Sequence, residues 1–426
     1  MKRPVRTLLK IIKRSFTKPT TEAPFSKGGS SVVNDLGKGK LGEKPISNPV
    51  KFEYEEFDHL EIVSGNPKQS AFFYCSLFGF EVQECEDVYT KSGNISYFLK
   101  NGGVRLLISG SIEAQNSEIN DFLAKHGDAV RQVGLRVKDL KPVENHLQNR
   151  GISVKTQGND SVSFIPLYVF ENVKHVLVER KAKKECSTPF WPGLSTSSSA
   201  IASLNKANTF FNKFNCNIPE FLRIDHVGFP QARNCSEKVI QSYYEDLGFY
   251  MFWSIDEEAI SSKQSSLKST VVSDFDNRIR FPIFEPVEKE KKSQIQEFLD
   301  YNGGAGAQHI AIEIKNILKT VKAMRERGVE FLSVSDSYYQ IVREKLQEYH
   351  IEIEEDLDEI QQNHILLDFD IHGNYLLQIF TKPLVDRPTM FLEFIQRNGH
   401  QGFGEGNFNR LFLSIEKEQQ KRGNLV

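Results

Sequence analysis

The sequence has little of what disulfide-stapled, zinc-binding or membrane-spanning proteins need. Only five of its 426 residues are cysteine, and they are scattered without a CxxC pair. This pattern argues against a disulfide framework or a zinc site and favours a reducing compartment. No run of about 18 apolar residues is present, so a membrane-spanning helix is not expected. The formal net charge is only −2, which gives no general attraction for nucleic acid.

Apolar and aromatic residues are abundant. The composition is 39% hydrophobic and 26% charged, as in globular proteins, and the length suits two or three domains rather than one. The 32 phenylalanines are enough to build a core and also to line an aromatic pocket.

The N-terminus differs in composition from the rest of the chain. Residues 1–21 mix basic and apolar side chains, and the first acidic residue is Glu22. This pattern resembles a mitochondrial transit peptide, although a disordered basic tail has the same composition. We therefore expect residues 1–51 to form a basic, disordered extension, with a flexible lead-in from residue 22, and the protein to be cytoplasmic or mitochondrial.

Two parts of the chain begin alike and indicate an internal repeat. Residues 57–62 and 224–229 are alternating apolar segments, and each precedes a helical pattern that ends at a glycine before a strand restarts on phenylalanine. This order predicts a duplication, with one domain at residues 52–180 and another at 223–426. The segment between them, residues 181–222, contains Ser-rich and Pro-containing stretches and is predicted to be a linker with a mobile centre.

The repeat extends to three positions that can bind metals. Residues 130–137 line up with 307–314, and residues 176–180 with 391–394. The alignment pairs His59 with His226, Gln132 with His309, and Glu179 with Glu393. Since a neutral glutamine is a poor replacement for an imidazole on iron, the first half is predicted to lack a complete metal site.

His226, His309 and Glu393 each lie in an alternating apolar segment typical of a strand. Strands that curl round one cavity would bring together two imidazoles and one carboxylate, the facial set of non-haem Fe(II) oxygenases, which leaves coordination positions open. A lone histidine or glutamate on a strand is more often a hydrogen-bonded structural residue. Spacing cannot decide between these alternatives, because the three residues are far apart in sequence.

Longer strings of residues resemble one known family. They comprise residues 292–297 and 300–306 before His309, residues 377–383 and 386–389, and residues 395–397 and 402–408. From about Phe52 to the C-terminus the chain resembles the 4-hydroxyphenylpyruvate dioxygenase family of the vicinal-oxygen-chelate superfamily. In the first half the clearest match is residues 64–69.

The resemblance implies an α+β fold of two tandem paired-βαβββ domains, of which the C-terminal open barrel holds the metal. It implies one Fe(II) per chain on His226, His309 and Glu393, and a gating helix within residues 407–423, where apolar residues recur at helical spacing. It also implies a dimer or tetramer. Substrate-pocket roles pass by the same resemblance to Ser269, Gln294, Gln308, Gln378, Phe380, Phe391, Phe403, Asn407 and Phe408.

The implied reaction converts 4-hydroxyphenylpyruvate, an aryl 2-oxoacid, and O2 to homogentisate and CO2 in tyrosine and phenylalanine catabolism. Neither nucleic acid nor a membrane span is expected. One pocket position departs from the family, since Phe284 stands where asparagine is usual, and an aromatic ring cannot replace an amide's donor and acceptor. Two alternatives remain: a 4-hydroxymandelate synthase, against which Phe408 argues, and a non-catalytic member, which only Phe284 supports.

Overall fold

The structure is a computed structural model. It describes residues 40–45, 50, 52–86, 93–114, 118–170, 172–181, 189–196, 199–212, 218–255 and 265–425, with the backbone alone for a few of them, Phe408 included. Residues 1–21, expected to be either a transit peptide or a disordered basic tail, lie outside the described residues. Within the described ranges no helix is both long and apolar enough to cross a lipid bilayer.

Ten strands and four helices lie in the described part of the chain before residue 221. In chain order these are β1 (Lys40–Leu41), β2 (Tyr54–Val63), α1 (Pro67–Phe78), β3 (Glu81–Glu86), β4 (Asn94–Asn101), β5 (Val104–Ser111), α2 (Glu118–His126), β6 (Ala129–Val137), α3 (Leu140–Asn149), β7 (Gln157–Gly158), β8 (Val162–Phe170), β9 (Val173–Arg180), β10 (Leu194–Ser195) and α4 (Ser199–Asn212).

The second half repeats the pattern with an insertion before β16. Its elements are β11 (Phe221–Pro230), α5 (Ser236–Leu247), β12 (Tyr250–Ile255), β13 (Ser266–Ser273), β14 (Arg280–Val287), α6 (Gln294–Asn302), β15 (His309–Ile314), α7 (Ile317–Glu326), α8 (Asp336–Glu348), α9 (Leu357–Gln362), β16 (Leu366–Phe369), β17 (Tyr375–Phe380), β18 (Phe391–Asn398) and α10 (Phe408–Lys421).

Each half forms one sheet, with β1 added to that of the second half, and the two sheets have the same topology. The strand orders are β10-β3-β4-β5-β2-β6-β9-β8-β7 and β1-β12-β13-β14-β11-β15-β18-β17-β16. In both sheets two parallel pairs, β2/β5 with β6/β9 and β11/β14 with β15/β18, flank one antiparallel central pair. The predicted α+β fold of paired βαβββ units is therefore confirmed.

Glycines end the first helix of each half, as predicted. Gly79 and Gly248 follow α1 and α5 with φ angles of +70° and +69°, the left-handed conformation that lets a helix end sharply before the next strand. The two halves also share one core, because Phe57 packs edge-on against Phe281 and Phe80 against Phe221 across their boundary.

The described parts of the predicted linker, residues 181–222, include regular structure. Strand β10 pairs with β3, and α4 lies against the same strand. The Asn205 side chain accepts from the Val82 amide at 2.8 Å and donates to its carbonyl at 2.9 Å, while Asn208 donates to the Phe80 carbonyl. Strand β10 pairs only with Cys85 and Glu86 of β3, and asparagine side chains of α4 pair with backbone groups at the start of β3. Similarly, β1 of the predicted N-terminal extension pairs with the edge strand β12.

Strand register corrects one part of the predicted repeat. In the second sheet Glu393 lies beside Ala311, and in the first sheet the matching partner of Gly134 is Val176. Val176, not Glu179, therefore occupies the position that corresponds to Glu393. Glu179 lies three residues further on and accepts a hydrogen bond from the Leu140 amide at the start of α3. A nearby glutamate misled the alignment, because sequence alone does not reveal register.

Aromatic side chains fill the first-half position that corresponds to the metal site. The Gln132 amide nitrogen lies 2.8 Å from His59 Nε2 and satisfies it. The Trp191 ring, from the segment after β9, lies 4.8 Å from the rings of both His59 and Phe164, and it packs with Val176. The first half thus has an apolar plug where the second has ionisable groups.

We predict that Trp191→Ala destabilises the protein by about 2 kcal/mol, because it leaves a void beside His59; the ring is only half-buried, so the cost is below that of a fully buried tryptophan. Urea unfolding measures the change. Phe210→Ala, at a ring that is 58% exposed, is the control and should change stability by less than about 0.5 kcal/mol. Equal effects of the two changes would contradict the plug.

Candidate metal centre and its cavity

Three neighbouring strands bring His226, His309 and Glu393 together. Strands β11, β15 and β18 are adjacent in the second sheet, and one ligand atom of each residue lies within 4.8 Å of the others. All three side chains are buried. In the described part of the chain, these three residues form a group of histidine and acidic side chains with the geometry to hold a metal ion.

A β-bulge sets the direction of His226. The register of β11 against β15 passes from Ile224 opposite Ile312 to His226 opposite Ala311, which leaves Asp225 as the extra residue. A bulge re-aims the side chains beside it, and here two consecutive residues interact. The Asp225 carboxylate lies 2.8 Å from His226 Nδ1. Since a carboxylate can only accept, Nδ1 carries the proton and Nε2 keeps its lone pair for a metal.

An arginine completes this support. Both Asp225 oxygens accept from Arg397 of β18, at 2.8 Å each. The same guanidinium also donates to the carbonyls of His400 and Gly402, just before Phe403, whose ring packs edge-on against His226. Metal-bound histidines typically donate their second N–H to such an oriented carboxylate.

The first half repeats this support although it lacks the ligand set. A bulge at Asp58 places its carboxylate 2.7 Å from His59 Nδ1, and Arg180 donates to both Asp58 oxygens. Arg180 also donates to the Phe190 carbonyl, and the Phe190 ring packs against His59. The scaffold is thus common to both halves, and only the groups it presents differ.

Burial and charge set the protonation of the site. Burial disfavours the carboxylate of Asp225, but Arg397 and His226 hold its pKa well below the ordinary value. Burial together with the nearby His226 lowers the pKa of His309 well below its ordinary value, so His309 is neutral. Burial also acts to lower the pKa of His226, but Glu393 and Asp225 outweigh it and raise that pKa. The raised pKa favours a second proton on His226, at the Nε2 atom that faces Glu393. A cation bound between His226 and Glu393 would replace this second proton.

His309 lies in a close-fitting aromatic setting. Its ring stacks on Phe391 at 5.5 Å and lies 5.5 Å from Phe284. Gly228 faces it across the sheet, where a Cβ atom would come within 2.1 Å of the imidazole. Any larger residue at position 228 would therefore displace this ring.

A cavity with a free volume of about 60 Å³ adjoins the three residues. Seven of the nine predicted pocket residues line it: Ser269, Gln294, Gln308, Gln378, Phe380, Phe391 and Phe403. Asn407 instead lies behind the wall, where it donates to Gln378. The side chain of Phe408 lies outside the described part. Phe284 also lines the cavity, so the departure from the family faces the site.

The helix predicted within residues 407–423 contributes to the cavity wall, since Leu411, Phe412 and Ile415 of α10 line the cavity. Among the residues that sequence reasoning missed, Leu267, Val271, Pro282 and Ile295 also line the cavity. Asp225 and Arg397 were missed as well, although an Asp-His pair begins both repeats.

Hydrogen bonds and an ion pair hold the C-terminal end of α10 beside the cavity. Arg422, just past the helix, forms an ion pair with Glu297 of α6 at 2.7 Å, and the Gln419 amide donates to the Lys292 carbonyl. Within the helix, the Glu416 carboxylate accepts from Ser265 at 2.8 Å. These contacts hold the apolar face of α10 against the cavity.

The donor set fits a divalent transition metal. One neutral imidazole, a second imidazole with an oriented proton on Nδ1, and a carboxylate are three ligands of the type that non-haem metal centres use, and they lie on one side of the cavity. The open side faces apolar rings and amides, so a small organic molecule can approach.

Known proteins share both the sequence and the fold. The model of the Glyoxalase/Bleomycin resistance protein/Dioxygenase superfamily matches residues 56–177 and 223–343. The chain is 40% identical over 393 residues to a 4-hydroxyphenylpyruvate dioxygenase from Caenorhabditis briggsae, covering 90% of this chain and 96% of that one. The chain belongs to the 4-hydroxyphenylpyruvate dioxygenase family.

Other members and a structural neighbour extend the match. The family member from Danio rerio is 38% identical over 392 residues, covering 90% of this chain and 95% of its own. A solved mutant of 4-hydroxymandelate synthase from Streptomyces coelicolor superposes with a TM-score of 0.71 at 20% identity, covering 86% of this chain and 99% of that chain. The last likeness shows the fold.

The internal repeat offers a matched pair of variants in this family member. Arg397→Met and Arg180→Met each leave a buried aspartate without its cation, so we expect each to destabilise the protein by about 3 kcal/mol in urea unfolding. Only Arg397→Met should also weaken Co(II) binding, by about 10- to 100-fold, because only Arg397 supports a metal ligand, His226, through Asp225.

Titration of the folded variants with Co(II) measures this affinity. An equal loss of affinity in both variants would mean that general destabilisation, rather than the orientation of His226, controls metal binding.

Proposed function

We propose that the protein is an Fe(II)-dependent 4-hydroxyphenylpyruvate dioxygenase that forms homogentisate and CO2. The observation that carries the proposal is the buried group of His226, His309 and Glu393 beside a cavity lined by aromatic rings. Support comes from relatives of that name at 38–40% identity that the chain matches over nearly their whole length.

The three residues of the centre hold the iron. Neutral His309 and the Nε2 atom of His226 provide nitrogen donors, and Glu393 provides an oxygen donor and negative charge. When bound, Fe(II) supplies the redox chemistry that activates O2 and the open coordination positions for the oxoacid end of the substrate.

The cavity wall provides the substrate contacts. The hydroxyl of Ser269 and the amide oxygen of Gln294 are buried and have no hydrogen-bond partner among the described residues. Buried polar atoms normally have partners, so the polar groups of a substrate are suited to complete these two. The rings of Phe380, Phe391 and Phe403 hold the substrate's ring and exclude water from the reacting atoms.

Substrate entry requires the cavity to widen. A water molecule needs roughly 10–15 Å³ by the same measure, so the free volume of about 60 Å³ holds only a few waters. An aryl 2-oxoacid is larger than this. Because α10 supplies Leu411, Phe412 and Ile415 to the wall, displacement of that helix is the direct route to more space.

Product analysis tests the proposed reaction. The purified protein loaded with Fe(II) and supplied with 4-hydroxyphenylpyruvate and O2 should form homogentisate as its main product. Glu393→Gln, which removes the charged ligand at nearly constant volume, is the control and should form none. Hydroxymandelate as the main product would identify a 4-hydroxymandelate synthase, and absence of both iron binding and O2 uptake would identify a non-catalytic member.

Phe284 gives a second test, on substrate preference. Position 284 faces the cavity beside Ser269, so Phe284→Asn adds an amide there. That amide can bind the phenol hydroxyl of 4-hydroxyphenylpyruvate, which phenylpyruvate lacks, and one neutral hydrogen bond contributes about 1 kcal/mol. The kcat/KM ratio of 4-hydroxyphenylpyruvate over phenylpyruvate should therefore rise roughly five- to tenfold. Steady-state O2 uptake measures both substrates. An unchanged ratio would place the phenol away from position 284.

A further inference from the structure

A line of buried hydrogen bonds connects Glu393 with a residue that no step above uses. Glu393 Oε1 accepts from the Gln378 amide at 2.9 Å, and Gln378 Oε1 accepts from the Asn407 amide at 2.8 Å. Asn407 Oδ1 in turn lies 2.8 Å from the hydroxyl of Tyr338 in α8. All four side chains are buried.

The charge of Glu393 sets the direction of every bond in this line. A carboxylate can only accept, so Gln378 presents its nitrogen to Glu393 and its oxygen to Asn407. Asn407 must then donate through its nitrogen, which turns its own oxygen towards Tyr338. The line is therefore complete only when Tyr338 donates its single proton to Asn407.

The backbone of β16 prepares Tyr338 for this role. The Leu367 amide donates to the Tyr338 hydroxyl at 2.8 Å, which occupies an acceptor position of the phenol oxygen and limits its orientation. The Leu367 carbonyl, at 2.9 Å, is a competing acceptor for the phenol proton. Donation to Asn407 is favoured because each hydrogen bond from Tyr338 to Glu393 then joins one donor to one acceptor.

The comparison of the two halves links this line to the metal centre. Residues 327–365, which contain α8 and α9, join α7 to β16, whereas residues 150–156 alone join α3 to β7 in the first half. By strand register the first-half counterparts of Gln378 and Glu393 are Phe164 and Val176. The half with apolar residues at these positions also lacks α8.

We infer that Tyr338 is a positioning residue, whose phenol proton orients the Asn407 and Gln378 amides and through them the carboxylate of Glu393. Asn407 directly precedes α10, so the same hydrogen bond ties the start of the cavity-closing helix to the metal ligand. Gly404 adds to this constraint, because a Cβ atom there would come within 1.9 Å of the Gln378 amide oxygen. This inference rests on the proposed function only in that the site binds a metal ion.

Tyr338→Phe tests the inference, with Tyr339→Phe as the matched control. Both tyrosines are buried neighbours on α8, but the Tyr339 hydroxyl has no hydrogen-bond partner among the described residues. With Co(II) alone as the probe, Tyr338→Phe should weaken binding about tenfold and alter the visible absorption of bound Co(II). Tyr339→Phe should bind and absorb as the wild type does.

A second variant keeps the test informative if Tyr338→Phe folds poorly. Asn407→Asp keeps the shape and the bond from Tyr338 but places an acceptor against Gln378 Oε1, which breaks the direction of the line. It should change the Co(II) spectrum in the same way. The double variant should weaken Co(II) binding by less than the product of the single effects, because both changes interrupt one line.

Other outcomes overturn the inference. A Tyr338→Phe protein with wild-type Co(II) affinity and spectrum, or a Tyr339→Phe protein changed to the same extent, leaves Tyr338 with a purely structural role. If the wild type binds Co(II) and Tyr338→Phe does not differ from it, the inference fails while the metal site stands. If the wild type binds no Co(II), the proposed function fails, and the inference with it.

Discussion

The buried ion pair between Asp225 and Arg397 is the interaction on which the rest of the site depends. It fixes the proton of His226 on Nδ1, joins β11 to β18, and holds the chain that carries Phe403. A buried charge without its partner is costly, so the pair also requires the strands to keep one register. Orientation of the metal ligands and closure of the cavity wall therefore follow from the same contact.

The first half has the same construction with a different occupant. Asp58, His59 and Arg180 repeat the arrangement, yet Gln132 and Val176 replace the other two ligands and Trp191 fills the space. The scaffold is therefore independent of metal binding, because bulge, aspartate and arginine form a satisfied unit by themselves. What distinguishes the second half is the groups on β15, β17 and β18 together with the inserted α8.

Much of the fold could be predicted because local sequence patterns indicate its strands and helix ends. Alternation located β11, β15, β17 and β18, and the glycines at 79 and 248 located the ends of two helices. The error at Glu179 and the packing of α4 have a common cause. Strand register and the pairing of edge strands depend on residues distant in sequence, and a one-residue slip reverses the face that each side chain occupies.

The sequence by itself determined the strands, the duplication, the ligand types and the family, since each depends on residues close together or on long matching strings. Only the tertiary structure decided how Asp225, Arg397 and Tyr338 take part. Their partners lie on other elements, and a hydrogen bond requires distance and direction that sequence does not specify. For the same reason Val176 was identified only once β9 had a neighbour.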